Sequence, residues 1–490
     1  MTSPVSAPRM SRRDILVASG AAGAALLLPR TASARIEQSI LPFDPGPQNA
    51  AGRRVWAHWH VFPTSFDNKP AASDTYANYM TPDAVDGTMF RDVGGWLRER
   101  PLPRPPRRER DWAVLDMVDE IRDASAIGLD GFQFNILSIE PDNRHWINLT
   151  NMLEAAKRPR LDFQIMLSID CVANRTDVPV ESFVTALAQI AGHPCVARRA
   201  DGRVILGAFA AERWPTDRWE RLLAGLAAHA QPVFFIPHFL DVSKAPSYLP
   251  LIQGASVWGG NHLSQLRNMA LFATALRAVG KVWMANVYPQ DFRPKDGWFA
   301  EAENSRVFRA GWQNALDTGA EMVSISTWDD YSEHSEIKPS TGTQYAFYDL
   351  TAFFVEWFKT GKQPGITRDV LYYFHRIESA DAPGTGSAQA RRFYNHFDEP
   401  TLNEIEVVAF LKAPGRVTIS TAAGTKGTDA DAGITSLRVP LAPGRPKFAL
   451  LRAGETVISL ESAFAIREKS LYQDLLYRGG SSTRPPVAQT

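Results

Sequence analysis

Short runs of alternating apolar and polar residues recur through the first two thirds of the chain. In the first run, Val55, Ala57 and Trp59 share one face of a strand, and His58 and His60 share the other. A strand covered by helices on one side has this pattern. We therefore expect a sheet whose outer face packs against helices and whose inner face carries polar side chains.

Helical patterns separate these runs, so strands and helices alternate along the chain. After residues 54–62, strands are predicted at 130–137, 163–170, 202–209, 233–238, 255–258, 282–288 and 322–328. Helices are predicted at 111–126, 146–156, 180–191, 217–227, 263–278, 303–317 and 348–362. Eight strands that alternate with helices predict an α/β fold, a (β/α)₈ TIM barrel, over residues 50–365.

The pattern changes near residue 370. Short strands, predicted at 405–411, 416–421, 436–440, 448–452 and 457–460, alternate with turns rich in Gly, Pro and Asp. This texture predicts a C-terminal all-β accessory domain, most simply a sandwich, over residues 366–480. Residues 481–490 are expected to be a disordered tail.

Residues 1–34 have the features of an export signal rather than of a folded element. The Arg12-Arg13 pair precedes an apolar run that is too short to anchor in a bilayer, and Ala32-Ser33-Ala34 is an A-x-A cleavage site. We therefore predict a twin-arginine signal peptide and a periplasmic or secreted mature protein. No membrane association is expected after its removal.

Charge and cysteine content exclude several classes of function. Lys+Arg and Asp+Glu both number 53, so no basic field is available to attract nucleic acid. Two cysteines are too few for a metal cluster or a disulfide scaffold. Cys171 and Cys195 could form a disulfide or remain free thiols, and no cofactor is expected.

Polar and aromatic residues are predicted at the C-terminal ends of the barrel strands, where barrel enzymes place their active sites. The candidate substrate contacts are His58, His60, Asn135, Asp170, Glu212, His238, Trp258, Asn286, Tyr288 and Trp328. Aromatic faces stack on sugar rings, so Trp56, Trp258, Tyr288 and Trp328 are the expected sugar-binding rings.

The last barrel strand ends in four carboxylates, Asp329, Asp330, Glu333 and Glu336. Alternation places Asp330 on the inward face, and Glu333 follows three residues later on the exit loop. Cleavage of a glycosidic bond requires two carboxyl groups, one acting as an acid and one as a base or nucleophile. Asp330 and Glu333 are therefore the predicted catalytic pair, with Asp170 and Glu212 in reserve.

The same stretch resembles a known family. Residues 328–334 read WDDYSEH, which is similar to the WNDYGES signature of glycoside hydrolase family 71, the endo-1,3-α-glucanases or mutanases. Asp329, Ser332 and His334 replace the Asn, Gly and Ser of that signature. Other segments of the chain are also similar to the family and occur in the same order along the sequence. They are AIGLDGF before Asn135, the pair Ser168 and Asp170, and WFKTG followed by YYFHR.

The resemblance implies an enzyme that hydrolyses α-1,3-glucosidic bonds in a polysaccharide or oligosaccharide with inversion at the anomeric carbon. It implies Asp330 and Glu333 as the catalytic residues, and we expect Glu333 to be the acid and Asp330 the base. Neither a metal nor another cofactor is implied.

The sequence also permits two other functional interpretations. His58 and His60, together with His238, His262 and Asp330, could form the metal site of an amidohydrolase-like barrel. No Lys or His at the end of the fourth strand completes that site. A carbohydrate-binding barrel that has lost catalysis is the other alternative, although both carboxylates are present. Endo or exo cleavage and the oligomeric state are left open by the sequence.

Overall fold

The computed structural model describes residues 40–46, 52–83, 90–159, 161–384, 389 and 391–487. The predicted signal peptide at residues 1–34 lies outside these ranges. The described residues from Leu41 onward form one compact unit.

Parallel strands form the central sheet. Two further short strands of this region belong to a separate small sheet. In chain order, the strands of this region are β1 (Arg54–Trp59), β2 (Gly131–Ile136), β3 (Gln164–Asp170), β4 (Val204–Phe209), β5 (Val233–Phe235), β6 (His238–Phe239), β7 (Gly254–Val257), β8 (Val282–Val287), β9 (Asp291–Arg293), β10 (Trp298–Ala300) and β11 (Met322–Ile325). The central sheet has the order β5-β4-β3-β2-β1-β11-β8-β7-β6.

The two ends of this order are one strand interrupted by Ile236 and Pro237. Ile236 N donates to the carbonyl of Leu206 in β4 at 2.9 Å, and Ser256 N in β7 donates to the carbonyl of Pro237 at 2.8 Å. Proline has no N–H to continue the ladder, which explains the interruption. The sheet therefore closes on itself, and the predicted (β/α)₈ barrel is confirmed.

Helices surround this sheet in the predicted alternation. They are α1 (Thr75–Tyr79), α2 (Trp112–Ala126), α3 (Arg144–Ala156), α4 (Val180–Ala191), α5 (Thr216–Ala228), α6 (Ala245–Tyr248), α7 (Leu263–Ala278), α8 (Arg306–Asp317) and α9 (Ala346–Thr360). The apolar outer faces of the strands and the inner faces of the helices form one large core. None of the helices in the described ranges is long and apolar enough to cross a membrane.

The barrel interior is apolar below and polar above. The lower cluster consists of Trp56, Met166, Ala197, Ile205, Phe234, Ile236, Met284 and Met322. Above it, Gln133 donates to Ser168 Oγ and accepts from Ser324 Oγ, both at 3.0 Å. Trp56 points inward as predicted, but it is fully buried in the floor. Its expected role as a sugar-binding ring is therefore wrong.

The C-terminal region forms two four-stranded antiparallel sheets. Its strands are β12 (Val370–His375), β13 (Tyr394–Asn395), β14 (Glu404–Leu411), β15 (Gly415–Thr421), β16 (Gly424–Ala430), β17 (Gly433–Pro440), β18 (Lys447–Arg452), β19 (Glu455–Glu461) and β20 (Arg478–Ser481). The orders are β17-β14-β12-β20 and β16-β15-β18-β19. Apolar side chains of both sheets share one cluster, so the predicted sandwich is present.

Part of the segment expected to be a disordered tail is packed against the fold. Ser481 belongs to β20, and Ser482 N donates to the carbonyl of Leu371 at 2.9 Å. Arg484 Nε donates to the buried carboxylate of Asp349 in α9 at 2.9 Å. The chain is therefore held at least as far as Arg484.

The thiols of Cys171 and Cys195 are both free. Cys171 is buried, and Cys195 is half-buried. The disulfide that the sequence left open is therefore not formed.

The C-terminal region also reaches over the barrel. β13 pairs in parallel with β10, which itself pairs with β9, so a small three-stranded sheet forms beside the mouth of the barrel. Below it, the buried guanidinium of Arg376 donates to Glu301 Oε2 and to the carbonyls of Leu402 and Leu475, each at 3.0 Å. This contact ties β12 to the segment that follows β10.

We expect Arg376→Gln to lower the free energy of unfolding by about 3–5 kcal/mol, because it leaves the carboxylate of Glu301 buried without its cation. Arg416→Gln is the matched control: its partner Asp429 is exposed, and such pairs contribute about 1 kcal/mol or less. Urea unfolding followed by circular dichroism measures both. Equal losses in the two variants would contradict a tie at Arg376.

Candidate active site

The predicted acidic stretch leaves β11 as a loop, residues 326–338, that is fixed at both ends. Trp328 N donates to the carbonyl of His58 at 2.8 Å, and Ile337 N donates to the carbonyl of Thr327 at 3.0 Å. The Thr327 hydroxyl also accepts from Asp330 N at 2.8 Å. The loop is therefore held at the C-terminal end of β11, the face on which barrel enzymes place their chemistry.

Asp330 is almost fully buried and is held in an ionised state. Its Oδ1 accepts from Ser332 N at 3.0 Å and from Ser332 Oγ at 2.7 Å, and its Oδ2 lies 3.5 Å from His60 Nδ1. Burial alone would raise the pKa of Asp330. His60, Lys295 and the Ser332 hydrogen bond outweigh burial and lower that pKa to about 2.

The pKa of Glu333 is raised, whereas that of Asp330 is lowered. Its Oε1 accepts from Arg293 Nη1 at 2.7 Å and lies 3.5 Å from Lys295 Nζ. Burial raises the pKa of Glu333, the two cations oppose this, and the negative charge of Asp330 adds to it, so that the pKa lies at about 7. Glu333 is therefore protonated in a useful fraction of molecules near neutral pH.

The local charge balance explains why Glu333 retains the proton. Three carboxyl groups, those of Asp291, Asp330 and Glu333, face two permanent cations, Arg293 and Lys295. Asp291 accepts from Arg293 Nε at 2.8 Å and Nη2 at 2.9 Å, so the guanidinium stays charged in either state of Glu333. No described residue donates to Glu333 Oε2, so that oxygen is available to carry the proton.

Arg293 and Lys295 are charged residues of the candidate site that the sequence analysis missed. Both lie in the excursion after β8, and the Arg293 guanidinium is 4.5 Å from the centre of the Trp298 ring in β10. The only sequence signal was their position, because they follow the strand that carries Asn286 and Tyr288.

The three predicted histidines lie inside the barrel or at its mouth. Burial lowers the pKa of His58 well below its usual value and that of His238 to about 3, so both are neutral. Neither ring nitrogen of His58 has a hydrogen-bond partner among the described residues, and Nε2 of His238 also lacks one. His60 is more exposed and faces Asp330. The structure therefore brings these histidines together beneath and beside the carboxyl pair.

Trp258 provides an aromatic surface at this site. Its ring is edge-on to His58 and to Phe209, each 4.8 Å away, and lies 6.1 Å from Tyr288. Trp258 and Phe209 are only half-buried, whereas Tyr288 is fully covered. Trp258 therefore has an accessible ring at the site, its role as a sugar-binding ring stays a prediction, and Phe209 is an additional accessible ring that the sequence analysis did not select.

Two buried asparagines offer unused hydrogen-bonding atoms at the mouth of the barrel. Asn135 Nδ2 donates to Asp170 Oδ2 at 3.0 Å, and Asn286 Oδ1 accepts from Ser326 Oγ at 2.9 Å. Asn135 Oδ1 and Asn286 Nδ2 have no partner among the described residues. Because buried polar atoms are normally paired, one acceptor and one donor remain for ligand hydroxyls.

The carboxylates of Asp170 and Glu212 accept hydrogen bonds from backbone amides. Asp170 Oδ1 accepts from the amides of Val172 at 2.9 Å and Ala173 at 2.8 Å, while its other oxygen positions Asn135. Glu212 Oε1 accepts from the amides of Leu240 at 3.0 Å and Asp241 at 2.9 Å. Asp170 thus contributes by orienting Asn135, and Glu212 supports the loop that follows β6.

Trp328 is not a substrate contact, contrary to the prediction. It is fully buried in the core between strands and helices, with its ring 5.1 Å from that of Phe132. β11 ends at Ile325, so period-2 parity no longer holds at residue 328. The chain turns its side chain outward while Asp330 remains directed to the mouth of the barrel.

The other two carboxylates of the acidic stretch have structural positions. Asp329 accepts from His60 N at 2.6 Å and Phe62 N at 2.9 Å, which fixes the chain after β1. Glu336 is fully buried, and burial together with the neighbouring carboxyl of Glu99 raises its pKa well above the usual value. Neither takes part in the Asp330–Glu333 pair.

The ligand set of the alternative metal-dependent hydrolase does not assemble. Within the described ranges, no three His, Cys, Asp or Glu side chains come together in a way that could hold a metal ion. His262, which that reading required, stacks on Phe397 at 3.8 Å and lies 3.3 Å from Glu399.

Three relatives with similar sequences come from fungi. A mutanase of Penicillium rubens is 22% identical over 76% of this chain and 86% of the relative. A glucan endo-1,3-α-glucosidase of Schizosaccharomyces pombe is 22% identical, with coverages of 75% and 91%. The ascus wall endo-1,3-α-glucanase of the same organism is 25% identical, with coverages of 71% and 88%.

Among solved structures, an endo-α-mannosidase of family GH99 from Bacteroides thetaiotaomicron has a TM-score of 0.49 and 14% identity, covering 64% of this chain and 99% of that one. The family model described as glycosyl hydrolase family 71 matches residues 107–475, which is more than half of the chain and includes Asp330 and Glu333. The chain therefore belongs to glycosyl hydrolase family 71.

Proposed function

We propose that this glycoside hydrolase cleaves α-1,3-glucosidic bonds of a glucan by an inverting acid/base mechanism, with Glu333 as the acid and Asp330 as the base. Membership of the family and the α-1,3-glucanase names of the relatives support the substrate class. Two carboxyl groups in one loop, Asp330 held by His60 and Ser332 with a lowered pKa and Glu333 held by Arg293 with a raised pKa, support the mechanism and carry the proposal.

Glu333 donates its proton to the glycosidic oxygen as the bond to the leaving sugar breaks. Asp330 removes a proton from the water that attacks the opposite face of the sugar ring. The developing oxocarbenium ion is positively charged, and the ionised Asp330 stabilises it. His60 and Ser332 orient the Asp330 carboxylate, while Arg293 fixes Glu333. Inversion requires roughly 6.5–9.5 Å between the two carboxyl groups so that the water fits.

The walls of the site suit a neutral sugar. The half-buried Trp258 offers an apolar ring for stacking, and the unpaired atoms of Asn135 and Asn286 can bind hydroxyl groups. The neutral histidines His58 and His238 add polar atoms without adding charge. A neutral glucan chain therefore matches the site better than a charged one.

Export is also part of this proposal. The Arg12-Arg13 pair and the Ala32-Ser33-Ala34 site support a twin-arginine route, with cleavage after Ala34 and a periplasmic or secreted mature enzyme.

For the catalytic pair, Asp330→Asn and Glu333→Gln should each lower kcat by at least ~10²-fold on α-1,3-glucan, because each removes a group that transfers a proton. Release of reducing ends from a panel of α-1,3-, α-1,4-, α-1,6- and β-1,3-glucans measures activity and substrate class. Glu212→Gln, a carboxyl on the same rim, is the matched control and should retain near-normal turnover.

The same assay followed by proton NMR reports the anomer first released, which should be β from an α-linked glucan. An initial α-anomer would assign Asp330 as a nucleophile instead of a base. Near-normal turnover of either Asp330→Asn or Glu333→Gln, with loss of activity in Glu212→Gln, would refute the assignment.

The pH dependence follows from the two pKa values. Activity should fall as pH rises through about 7, where Glu333 loses its proton, and as pH falls toward about 2, where Asp330 gains one. Arg293→Gln removes a cation that favours ionised Glu333, so the alkaline limb of kcat/KM should move upward by about one pH unit or more. Arg203→Gln, at an exposed pair with Asp201, should leave the profile unchanged. If the alkaline limb of the kcat/KM profile in Arg293→Gln stays at the pH of the parent protein, Arg293 does not influence the pKa of Glu333.

For export, replacing Arg12 and Arg13 together by Lys should leave most of the protein uncleaved in the cytoplasm. Arg30→Lys, in the same leader, is the control and should be exported normally. Cell fractionation with N-terminal sequencing of the mature form measures both. Normal processing of the double variant would exclude the twin-arginine route.

A further inference from the structure

A cavity of about 430 Å³ lies away from the carboxyl pair, and four arginines line it: Arg98, Arg445, Arg467 and Arg478. Arg98 comes from the long segment between β1 and α2, and the other three come from the C-terminal region. Thr341, which precedes α9, and Phe464 complete the lining that matters here. The volume is within the range of small-molecule sites, about 300–1,000 Å³.

The positive charge around this cavity exceeds the negative charge. Arg467 Nε donates to Glu378 Oε2 at 3.1 Å, and Arg478 pairs with Asp474. Arg98 donates only to backbone carbonyls, those of Val93, Gly95, Leu97 and Gln473. Arg445 also donates only to carbonyls, those of Ser462 at 3.1 Å and Ala463 at 2.5 Å. In the described ranges, two of the four guanidinium groups therefore have no hydrogen bond to a carboxylate, although the charges of Asp474 and Glu378 also act on Arg98.

The remaining donors suit an oxyanion. Carbonyl oxygens satisfy hydrogen bonds, but they do not neutralise a guanidinium charge, and a partly buried charge without a counter-ion is costly. Arg445 and Arg467 are exposed and keep N–H groups that bond no described residue. Guanidinium forks bind carboxylate, phosphate and sulfate groups in a bidentate manner.

The rest of the lining indicates that the anion is part of a larger molecule. Ile377, Ala463 and Phe464 supply apolar surface, and the Phe464 ring lies 5.5 Å from the Arg478 guanidinium. A bare inorganic ion would leave this surface and much of the volume unused. We propose that the cavity is a binding site for an oxyanion carried on a sugar-sized body, such as a phosphorylated or carboxylated sugar.

The site is separate from catalysis but lies close to the catalytic loop. Arg98 N donates to His334 Nε2 at 2.9 Å, and His334 follows Glu333 directly. No catalytic group lines the cavity, so occupancy can be measured without substrate turnover. Failure of this proposal leaves the α-1,3-glucanase proposal untouched, and the reverse also holds.

The test is isothermal titration of the purified full-length protein with glucose 6-phosphate, glucuronate, inorganic phosphate and glucose, at constant ionic strength. The double variant Arg445→Gln/Arg467→Gln should weaken binding of the two sugar anions at least tenfold. Arg416→Gln, at an exposed pair elsewhere in the C-terminal region, should not change it. Arg467 also pairs with the buried carboxylate of Glu378, so the single variant Arg445→Gln, which breaks no carboxylate pair, is the one that should unfold at the temperature of the parent protein and still weaken binding of the sugar anions.

The arms of the titration separate the sources of the anion. Binding of a sugar anion that exceeds binding of inorganic phosphate supports the proposal. Binding of glucose as tight as that of the sugar anions would overturn it, as would equal affinity in the double variant and the parent protein. Absence of binding by every anion would overturn it as well.

Discussion

The hydrogen bond from Arg293 to Glu333 is the contact on which the proposed catalytic arrangement depends. Two carboxyl groups three residues apart in one buried loop repel each other when both are ionised. In identical surroundings, either group could hold the single proton. Arg293 and Lys295 hold Glu333 in place, while Ser332 and His60 bind Asp330. Because the surroundings of the two groups differ, the proton is favoured on Glu333 over Asp330. The chemistry therefore relies on residues outside the loop that carries it.

Those residues lie on a segment that the barrel alone does not stabilise. β9 and β10 are three residues long each, and such short hairpins have little stability of their own. β13 adds a third strand from the C-terminal region, His396 stacks on Trp298 at 4.5 Å, and Arg376 binds Glu301 just beyond β10. The C-terminal region is thus a structural part of the active-site wall, and its arginine-rich cavity meets the same catalytic loop through Arg98 and His334.

The sequence predicted the barrel because each strand is covered by helices on one face, which imposes a period-2 pattern with apolar residues on the outer side. It also placed Trp258 and the asparagines near the mouth of the barrel, because they lie on or directly after strands, whereas Asp330 and Glu333 lie in the loop after β11 and were selected from their acidic stretch and its resemblance to the family. It failed where that regularity stops: parity continued past Ile325 placed Trp328 on the wrong side. Arg293 and Lys295 were missed because a loop has no period, and β16 (Gly424–Ala430) was missed because it is largely polar and exposed on both faces.

Asp329 illustrates how a departure from a family signature can preserve a site. The signature has Asn at this position, and a carboxylate in the same place would bring a third negative charge toward Asp330. The oxygens of Asp329 accept from the amides of His60 and Phe62, a role that an amide oxygen could fill only in part. Burial and the nearby Glu120 raise the pKa of Asp329 well above its usual value, and the hydrogen bond from the His60 amide opposes them. The substitution therefore adds a second acceptor for the β1 exit, and the raised pKa limits the negative charge that it brings toward Asp330.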